Sequence, residues 1–333
     1  MEQPTETTDS TEGSTGISTR IGELREHIVS EVARIVVGLD DVTDQLLVAM
    51  IAGGHVLMEG VPGTAKTTLC KTFAELLGVE FQRIQFTPDL LPGDVTGTSV
   101  LDRQSNEFVL RKGPIFCQML LADELNRAPA KTQSSLLEAM QERQVTIEGT
   151  TLKLPQPFLV LATQNPIEQE GVYRLPEAQL DRFLLRVVVG YPDRGDEIEM
   201  LDIHSAPTEP VRAITSPEAI VAMQQGLADV HVSHELKGYV VDLCRESREH
   251  ADVALGASPR AALYLMHASR ARAILHGRDY ATHEDVLAMS APVLGHRLIL
   301  RPEAEIEGRD VLDIVREIAA KIPVNSDSTN PNA

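Results

Sequence analysis

The sequence predicts an α/β protein in which a parallel β-sheet with helices on both faces is followed by a separate, smaller helical domain. Between residues 20 and 191, short apolar runs alternate with amphipathic helix patterns, which is typical of parallel strands joined by helices. A loop-like break at residues 192–195 ends that alternation, and the pattern beyond it is almost wholly helical. The 333 residues suffice for two domains of ordinary size.

The two ends of the sequence differ from the middle in composition. Residues 1–18 are rich in Ser, Thr, Glu and Gly and contain almost no large apolar side chain, and residues 323–333 are similar. Segments of this composition bury too little apolar surface to fold, so we expect two disordered tails. The predicted domains are therefore an α/β core at residues 19–195 and a helical domain at residues 205–322.

Five apolar runs predict the five strands of the parallel sheet. They cover residues 56–58, 82–86, 115–122, 158–163 and 184–189. Two further pairs of short runs predict hairpins outside this sheet, residues 100–101 with 108–110 and residues 144–147 with 151–154. Gly149 supplies the turn of the second hairpin.

The second domain has the apolar spacing of core-facing helices. Two such stripes comprise residues 236, 239, 240, 243 and 244 and residues 311, 314, 315 and 318. Residues that cap helix N-termini mark three helix starts, at Ser216, Ser258 and Thr282. Asp285 follows Thr282 by three residues and completes a predicted capping box.

The chain is strongly acidic, with 49 acidic and 30 basic residues and a formal net charge of −19. This balance argues against broad, non-specific nucleic-acid binding, because such binding requires a basic surface. Lysines account for 7 of the basic residues. We interpret this acid-rich, lysine-poor usage as a sign of halophilic origin, since concentrated salt screens the self-repulsion.

The sequence predicts a cytoplasmic protein without a membrane span. The longest apolar run, residues 46–58, is too short to cross a bilayer, and no secretory leader opens the chain. The three cysteines, Cys70, Cys117 and Cys244, share no ligand spacing. We interpret them as buried core residues rather than as a zinc site or disulfides.

A glycine-rich loop between the first strand and an amphipathic helix predicts a site for a nucleoside triphosphate. The N–H groups of such a loop and the positive end of the helix attract phosphate. Lys66 would reach the β- and γ-phosphates, and the Thr67 hydroxyl would bind Mg²⁺. Ala65 replaces the second glycine of the pattern, and its methyl group is tolerable if the backbone there is already helical. An ordinary strand–helix loop with a surface lysine is the alternative. The predicted nucleotide-binding residues of the loop are Gly60, Val61, Pro62, Gly63, Thr64, Ala65, Lys66, Thr67 and Thr68.

Two acids end the third apolar run, at the sheet edge where the glycine-rich loop also lies. We expect Asp123 to hold Mg²⁺ through its water shell and Glu124 to activate the attacking water as a general base. A strand that simply ends in solvated acids is the alternative. Asn165 follows the next strand and could bind the γ-phosphate or that water, although an Asn before Pro is also a common turn signal.

Two arginines are candidates for stabilising charge around the phosphates. Arg182 lies in a short predicted helix, residues 175–183, that leads into the fifth strand, and could act as an arginine finger from a neighbouring subunit. Arg260 lies in the first turn of a helix in the second domain and could couple nucleotide state to the angle between domains. The alternatives are a surface ion pair with Asp181 for Arg182 and a solvated first-turn arginine for Arg260.

Several long stretches, in this order, resemble the MoxR family of AAA+ ATPases over residues 20–322. The most specific are residues 54–67 (GHVLMEGVPGTAKT), 85–94 (QFTPDLLPGD), 122–128 (ADELNRA), 162–166 (ATQNP), 175–183 and 256–260 (GASPR). The resemblance implies an AAA+ αβα core with a five-stranded parallel sheet, a small all-helical lid, and ATP and Mg²⁺ as cofactors. It implies Walker A at Lys66 and Thr67, Walker B at Asp123 and Glu124, sensor 1 at Asn165 and sensor 2 at Arg260.

The resemblance also implies an assembly and a class of client. Arg182 becomes the expected finger with Arg127 as a weaker candidate, Val37 and Gly38 would pack on the adenine, and both hairpins would face a central pore. Relatives form hexameric rings and act as chaperones that assemble, load metal into or activate clients, many of which carry a von Willebrand factor A domain. We therefore expect a homo-hexamer that hydrolyses ATP to remodel clients. The alternatives are a magnesium-chelatase-like motor subunit and a nucleotide-dependent binding switch with little turnover.

Overall fold

A computed structural model describes residues 11–61, 63–104, 106–164, 173, 175–203 and 209–323, with side chains from Ser18 onward. The described chain divides into two compact units. The larger unit is Ile28–Ala222. The second unit joins the described residues up to His27 with those from Met223 onward.

The first helix, α1 (Thr11–Ala33), contains the first boundary between the units, and α8 (Pro217–Gly226) contains the second. The larger unit continues in chain order with α2 (Asp40–Ala52), β1 (Val56–Gly60), α3 (Lys66–Leu77), β2 (Phe81–Gln85), α4 (Pro92–Thr96), β3 (Gly97–Asp102), β4 (Glu107–Lys112), β5 (Met119–Asp123), α5 (Ala130–Glu142), β6 (Gln144–Ile147), β7 (Thr150–Lys153), β8 (Leu159–Gln164), α6 (Glu177–Leu180), β9 (Leu185–Val189), α7 (Arg194–Ile203) and α8 (Pro217–Gly226). The second unit contains α9 (His234–Glu249), β10 (Val253–Leu255), α10 (Pro259–Leu275), α11 (His283–Leu294), β11 (Ile299–Leu300), α12 (Pro302–Ile306) and α13 (Val311–Lys321).

Five strands of the larger unit form one sheet in the order β2-β5-β8-β1-β9, and every neighbouring pair is parallel. The register pairs Ala122 with Ala162 and Glu59 with Gln164. The ends of β5, β8 and β1 therefore meet at one edge of the sheet, where the glycine-rich loop follows β1. The predicted five-stranded parallel sheet is confirmed.

Helices pack against both faces of this sheet. Leu57 on β1 belongs to the same buried apolar cluster as Leu136 and Met140 of α5. Met58 is the next residue and points to the opposite face, where its sulfur lies 3.9 Å from that of Cys70 on α3. The α/β class with helices on both sides of a parallel sheet is confirmed.

The third sheet strand is shorter than predicted. β5 begins at Met119 rather than at residue 115, because the N–H groups of Gln118 and Met119 both donate to Glu80 O and residues 115–117 form a turn. Ile115 and Cys117 in that turn are fully buried. A buried turn therefore has the same apolar pattern as a strand, and the sequence does not separate the two.

Helix α1 begins at Thr11, inside the segment expected to be a disordered tail. Ser18 and Ile21 are 4% and 5% exposed. Packing therefore orders Ser18, the last residue of the expected tail, because burial of this part of α1, Ile21 included, offsets the entropy cost of ordering the chain. Residues 1–10 and 324–333, the remainder of the expected tails, lie outside the described residues.

Both predicted hairpins form outside the sheet, β3 paired with β4 and β6 paired with β7. The second hairpin has a two-residue loop in which Glu148 and Gly149 have φ of +48° and +85°. Positive φ at both positions identifies a type I′ turn, whose twist matches that of the flanking strands.

The second unit is helical, with one small exception. The predicted stripe of α9 is buried, namely Leu236, Tyr239, Val240, Leu243 and Cys244. Ser258 Oγ accepts a hydrogen bond from Ala261 N at the start of α10, and Thr282 and Asp285 form the expected capping box of α11. The short antiparallel pair β10–β11 was not predicted, because strands of three and two residues leave no clear alternation in the sequence.

The three cysteines are buried and free, as expected. Burial raises the pKa of the Cys70 and Cys117 thiols to about 12 and that of Cys244 to about 11. The thiols therefore stay neutral and unreactive in the folded protein. Within the described residues, no helix combines the length and apolar character needed to cross a bilayer.

His55 joins three elements of the larger unit through its two ring nitrogens. Val160 N donates to Nδ1 at 3.0 Å, so Nε2 carries the proton and donates to Met140 O at 3.0 Å. The residue is 6% exposed, and burial lowers the pKa of the imidazole from 6.5 to about 4. The folded protein therefore keeps His55 neutral at pH values where the unfolded chain binds a proton.

We expect His55→Gln to weaken the pH dependence of stability. Between pH 7.5 and pH 5 the wild-type unfolded chain binds a proton at this histidine and the folded chain does not, which lowers the free energy of unfolding by about 2 kcal/mol. The variant lacks this loss, although it is less stable at pH 7.5 because buried backbone groups lose their partner. Urea denaturation at both pH values measures the difference. The exposed His234→Gln variant serves as the control and should match the wild type; equal losses for His55→Gln and wild type would contradict the prediction.

Candidate functional site

Among its described residues, the glycine-rich loop has left-handed backbone at two positions. Gly63 has φ of +86°, and Ala65, directly before α3, has φ of +53°. The condition that would make the Ala65 methyl group tolerable, a helical backbone at this residue, is therefore not met. The left-handed turn at Ala65 leads the chain into α3, so that the first N–H groups of the helix lie at the loop. A methyl group at such a φ is strained where glycine would not be.

We expect Ala65→Gly to raise the free energy of unfolding by about 0.5–1 kcal/mol. Relief of the left-handed strain outweighs the larger entropy of glycine in the unfolded chain. The matched control is Ala74→Gly in the right-handed interior of α3, which should lower the free energy of unfolding by about 1 kcal/mol or more. Urea denaturation of both variants measures whether each substitution raises or lowers the free energy of unfolding. Destabilisation by Ala65→Gly would contradict the strain at this position.

The glycine-rich loop and the ends of two strands line one cavity of about 360 Å³. An added Cβ at Gly63 would have no neighbour within 4 Å, so the loop leaves open space there. The first N–H groups of α3 have no partner within the helix and favour an anion. The cavity is lined by Gly60, Gly63, Thr64, Ala65, Lys66, Thr67, Thr68, Asp123, Glu124, Thr163 and Gln164.

Lys66 is held by carbonyl groups of its own loop. Its Nζ donates to Gly60 O at 2.7 Å and to Val61 O at 3.0 Å. Partial burial lowers the pKa of the ammonium group, and the nearby Asp123 carboxylate opposes that shift. The cation is thus partly desolvated and bound to neutral acceptors, which an anionic ligand in the cavity could replace.

A threonine hydroxyl connects the two predicted acids. Thr163 Oγ1 donates to Asp123 Oδ1 at 2.6 Å and accepts from Glu124 N at 2.8 Å. Asp123 Oδ2 accepts from Arg83 Nη2 at 2.6 Å and from Arg83 Nε at 3.2 Å. Glu124 has a left-handed backbone with φ of +55°. The Thr163 bond therefore stabilises an unusual backbone that sets the direction of the Glu124 side chain.

The Glu124 carboxylate retains an acceptor without a hydrogen bond. Its Oε2 is buried and accepts none within the described residues. Arg127 Nη1 lies 3.1 Å from Oε2, which is an ion-pair distance, although the contact is not a hydrogen bond. A buried carboxylate oxygen in this state favours a ligand or water that donates to it.

These residues fit a polyphosphate with a divalent ion. Lys66 and the N-terminus of α3 supply positive charge for phosphate oxygens. Thr67 and Asp123 supply hydroxyl and carboxylate oxygens, the donors that Mg²⁺ prefers. Glu124, whose Oε2 accepts no hydrogen bond within the described residues, lines the same cavity.

Arg182 lies at a different place in the larger unit. It lines a second cavity of about 360 Å³, together with residues of α5 that include Glu138 and Glu142. The two cavities share no lining residue. Arg127, the weaker finger candidate, contacts Glu124 of its own chain instead.

Three other described residues of the larger unit that were predicted to bind nucleotide, Val37, Gly38 and Val61, do not line the phosphate cavity. Val37 and Gly38 precede α2, and Gly38 has φ of +76° where an added Cβ would lie 2.3 Å from Asp196 Oδ2. Arg260 is the second residue of α10 in the other unit. Pro62 and Asn165 lie outside the described residues.

Arg83 and Thr163, which both donate to Asp123, were missed by sequence reasoning. Arg83 is a polar residue on the strand predicted at residues 82–86, and its importance depends on β2 lying beside β5. Thr163 ends the predicted strand 158–163 as a hydroxyl one position beyond the Ala122–Ala162 pair. Its position after a buried apolar run was a usable signal, whereas the strand order was not in the sequence.

Two family models match the chain. Residues 55–185 match the ATPase family associated with various cellular activities (AAA), and residues 245–318 match the AAA lid domain. The chain is 45% identical over 308 residues to the uncharacterized protein YeaC of Bacillus subtilis (strain 168). This alignment covers 91% of this chain and 95% of YeaC. It is 44% identical over 326 residues to the chaperone MoxR1 of Mycobacterium tuberculosis. This alignment covers 94% of this chain and 86% of MoxR1.

A solved structure shows the same fold over nearly the whole chain. This protein from Cytophaga hutchinsonii, named a candidate ATPase, matches with a TM-score of 0.88 and 40% sequence identity. The match covers 94% of this chain and 98% of that one. Sequence and structure therefore agree on an ATPase core followed by a lid.

Proposed function

This chain belongs to the MoxR family of AAA+ ATPases, and from that premise we propose that it hydrolyses ATP to drive work on client proteins. One observation supports hydrolysis most directly: Lys66, Thr67, Asp123 and Glu124 line a single cavity. Together they supply a cation for the phosphates, oxygen ligands for a divalent ion and a base for water. Phosphoryl transfer depends mainly on positioning and electrostatic stabilisation by such groups.

Each residue has a distinct proposed role. Lys66 exchanges its carbonyl partners for β- and γ-phosphate oxygens, and the N-terminal amides of α3 bind the remaining phosphate charge. Thr67 and Asp123 hold Mg²⁺, which supplies charge neutralisation on the phosphates. Glu124 accepts the proton of the attacking water as general base. Asn165 is proposed to orient that water.

We propose that Arg182 acts on the nucleotide of a neighbouring subunit. The absence of Arg182 from the lining of its own phosphate cavity supports this role, as does its partly exposed position beside α5. An arginine finger supplied in trans stabilises the charge that develops on the transferred phosphoryl group. A ring, proposed as a homo-hexamer, then places an active site at each subunit interface. Arg260 is proposed to report nucleotide state from the lid.

The β3–β4 hairpin is the proposed contact for a client. Val100 and Val109 are paired across the strands and are 47% and 51% exposed, and Leu101 and Phe108 are paired and are 45% and 74% exposed. Adjacent pairs point to opposite faces, so the ribbon is apolar on both sides. Exposed apolar surface of this kind favours an interaction site. The proposed client is a protein with a von Willebrand factor A domain.

Phosphate release by the purified full-length protein tests the proposal. ATP with Mg²⁺ should give steady release, and withholding Mg²⁺ should suppress it. ATP binding without steady release would instead favour the nucleotide-dependent switch. Failure to bind ATP would overturn the proposed function altogether. The match to a MoxR chaperone along 94% of the chain favours this reading over a magnesium-chelatase-like motor.

A further inference from the structure

Arg83 occupies one oxygen of the carboxylate that the proposed function assigns to Mg²⁺. It lies on the edge strand β2, two residues before Gln85, the residue paired with Asp123. Both Nη2 and Nε of Arg83 donate to Asp123 Oδ2, at 2.6 Å and 3.2 Å. Thr163 Oγ1 donates to the other oxygen. Both oxygens of Asp123 are therefore engaged by the protein itself.

We propose that Arg83 competes with Mg²⁺ for Asp123 and thereby sets the Mg²⁺ concentration at which the protein binds nucleotide. This inference rests on the proposed function of the cavity. The guanidinium places a positive charge against the carboxylate that would attract the dication. Its two N–H groups also use the lone pairs of Oδ2. The Thr163 hydroxyl is neutral, so it orients Asp123 without cancelling its charge.

The surroundings of Arg83 allow it to leave Asp123. Its side chain is 46% exposed, whereas that of Asp123 is 16% exposed. The other bond of Arg83 is to Gln85 Oε1 at 3.0 Å, on the same edge strand. An ion pair with one well-exposed partner contributes little to stability, so the guanidinium can turn into solvent without uncovering the core. Arg83 thus acts on the proposed Mg²⁺ site only through its contact with Asp123.

The test is a Mg²⁺ titration of the binding of a fluorescent ATP analogue to the full-length protein. We expect Arg83→Gln to lower the half-saturating Mg²⁺ concentration by about tenfold, because the competing charge is gone. Arg83→Lys keeps that charge and should stay within about threefold of the wild type. The matched control is Arg245→Gln, which removes the same charge from an exposed position of α9 and should leave the titration unchanged.

A merely structural role for Arg83 predicts a different result. If Arg83 only holds Asp123 in place, Arg83→Gln raises the half-saturating Mg²⁺ concentration, and that outcome or an unchanged titration overturns the inference. The thermal unfolding temperature of Arg83→Gln should equal that of the wild type. If Arg83→Gln folds poorly, the same titration is made with Arg83→Ala. Failure of the wild type to bind the analogue at any Mg²⁺ concentration would count against the proposed function instead. If the wild type binds the analogue but Arg83→Gln has the same half-saturating Mg²⁺ concentration, only the inference about Arg83 is rejected, and the proposed function stands.

Discussion

Glu124→Gln is expected to keep ATP binding and to lose about 10³-fold in phosphate release. The side chain is directed by a left-handed backbone and by the bond from Glu124 N to Thr163 Oγ1, neither of which depends on its charge. The amide therefore occupies the same place as the carboxylate, but it cannot accept a proton from water at neutral pH. The loss should appear in kcat, because the groups proposed to hold the phosphates, Lys66 and Thr67, are unchanged.

Binding of a fluorescent ATP analogue and steady phosphate release measure the two halves of this prediction separately. The matched control is Glu107→Gln, which makes the same chemical change at an exposed residue of β4 and should leave both readings at the wild-type level. Release by Glu124→Gln at more than about a tenth of the wild-type rate would displace Glu124 as the base. Loss of binding as well would mean that the carboxylate holds the nucleotide rather than the water.

The strands of the sheet were predictable to within a few residues because a buried parallel strand is a continuous apolar run. The prediction failed where burial and strand structure separate, as at Ile115 and Cys117, which are buried in a turn. The backbone conformation at Ala65 was likewise not predictable from the sequence. A sequence pattern identifies the loop but not the sign of φ within it, which here is positive at a residue that usually avoids it.

The candidate site was predictable only for residues that stand at the ends of elements with a clear sequence pattern. Lys66 and Thr67 begin the helix that follows one recognisable strand, and Asp123 and Glu124 stand at the end of another. Parallel strands bring their ends to one edge of the sheet. Arg83 could not be found in this way, since its contact with Asp123 depends on which strand lies beside β5. Local patterns predict where a side chain lies along its strand, whereas strand order decides what it touches.

Arg182→Ala and Glu124→Gln are each expected to be inactive alone and to regain activity when mixed. The Arg182→Ala subunit has an intact base and should lose about 10³-fold by itself, because every neighbour lacks the finger. A Glu124→Gln subunit still carries Arg182 and can complete the site of an adjacent Arg182→Ala subunit. In randomly assembled rings of equal mixture, half of the subunits have the base and half of their neighbours have the finger. Phosphate release should therefore recover to about a quarter of the wild-type rate.

The control for this complementation is a mixture of Glu124→Gln with the double variant Glu124→Gln/Arg182→Ala, which has no intact base and should stay inactive. Exchange of subunits is followed by energy transfer between two fluorescent labels, so that a lack of mixing is not taken for a lack of complementation. Inactivity of the exchanged mixture would contradict action in trans, because a finger serving its own subunit cannot help a neighbour. Recovery would instead require that Arg182 reach a site other than the cavity of its own chain. Its place in a second cavity, which shares no lining residue with the first, supports that outcome.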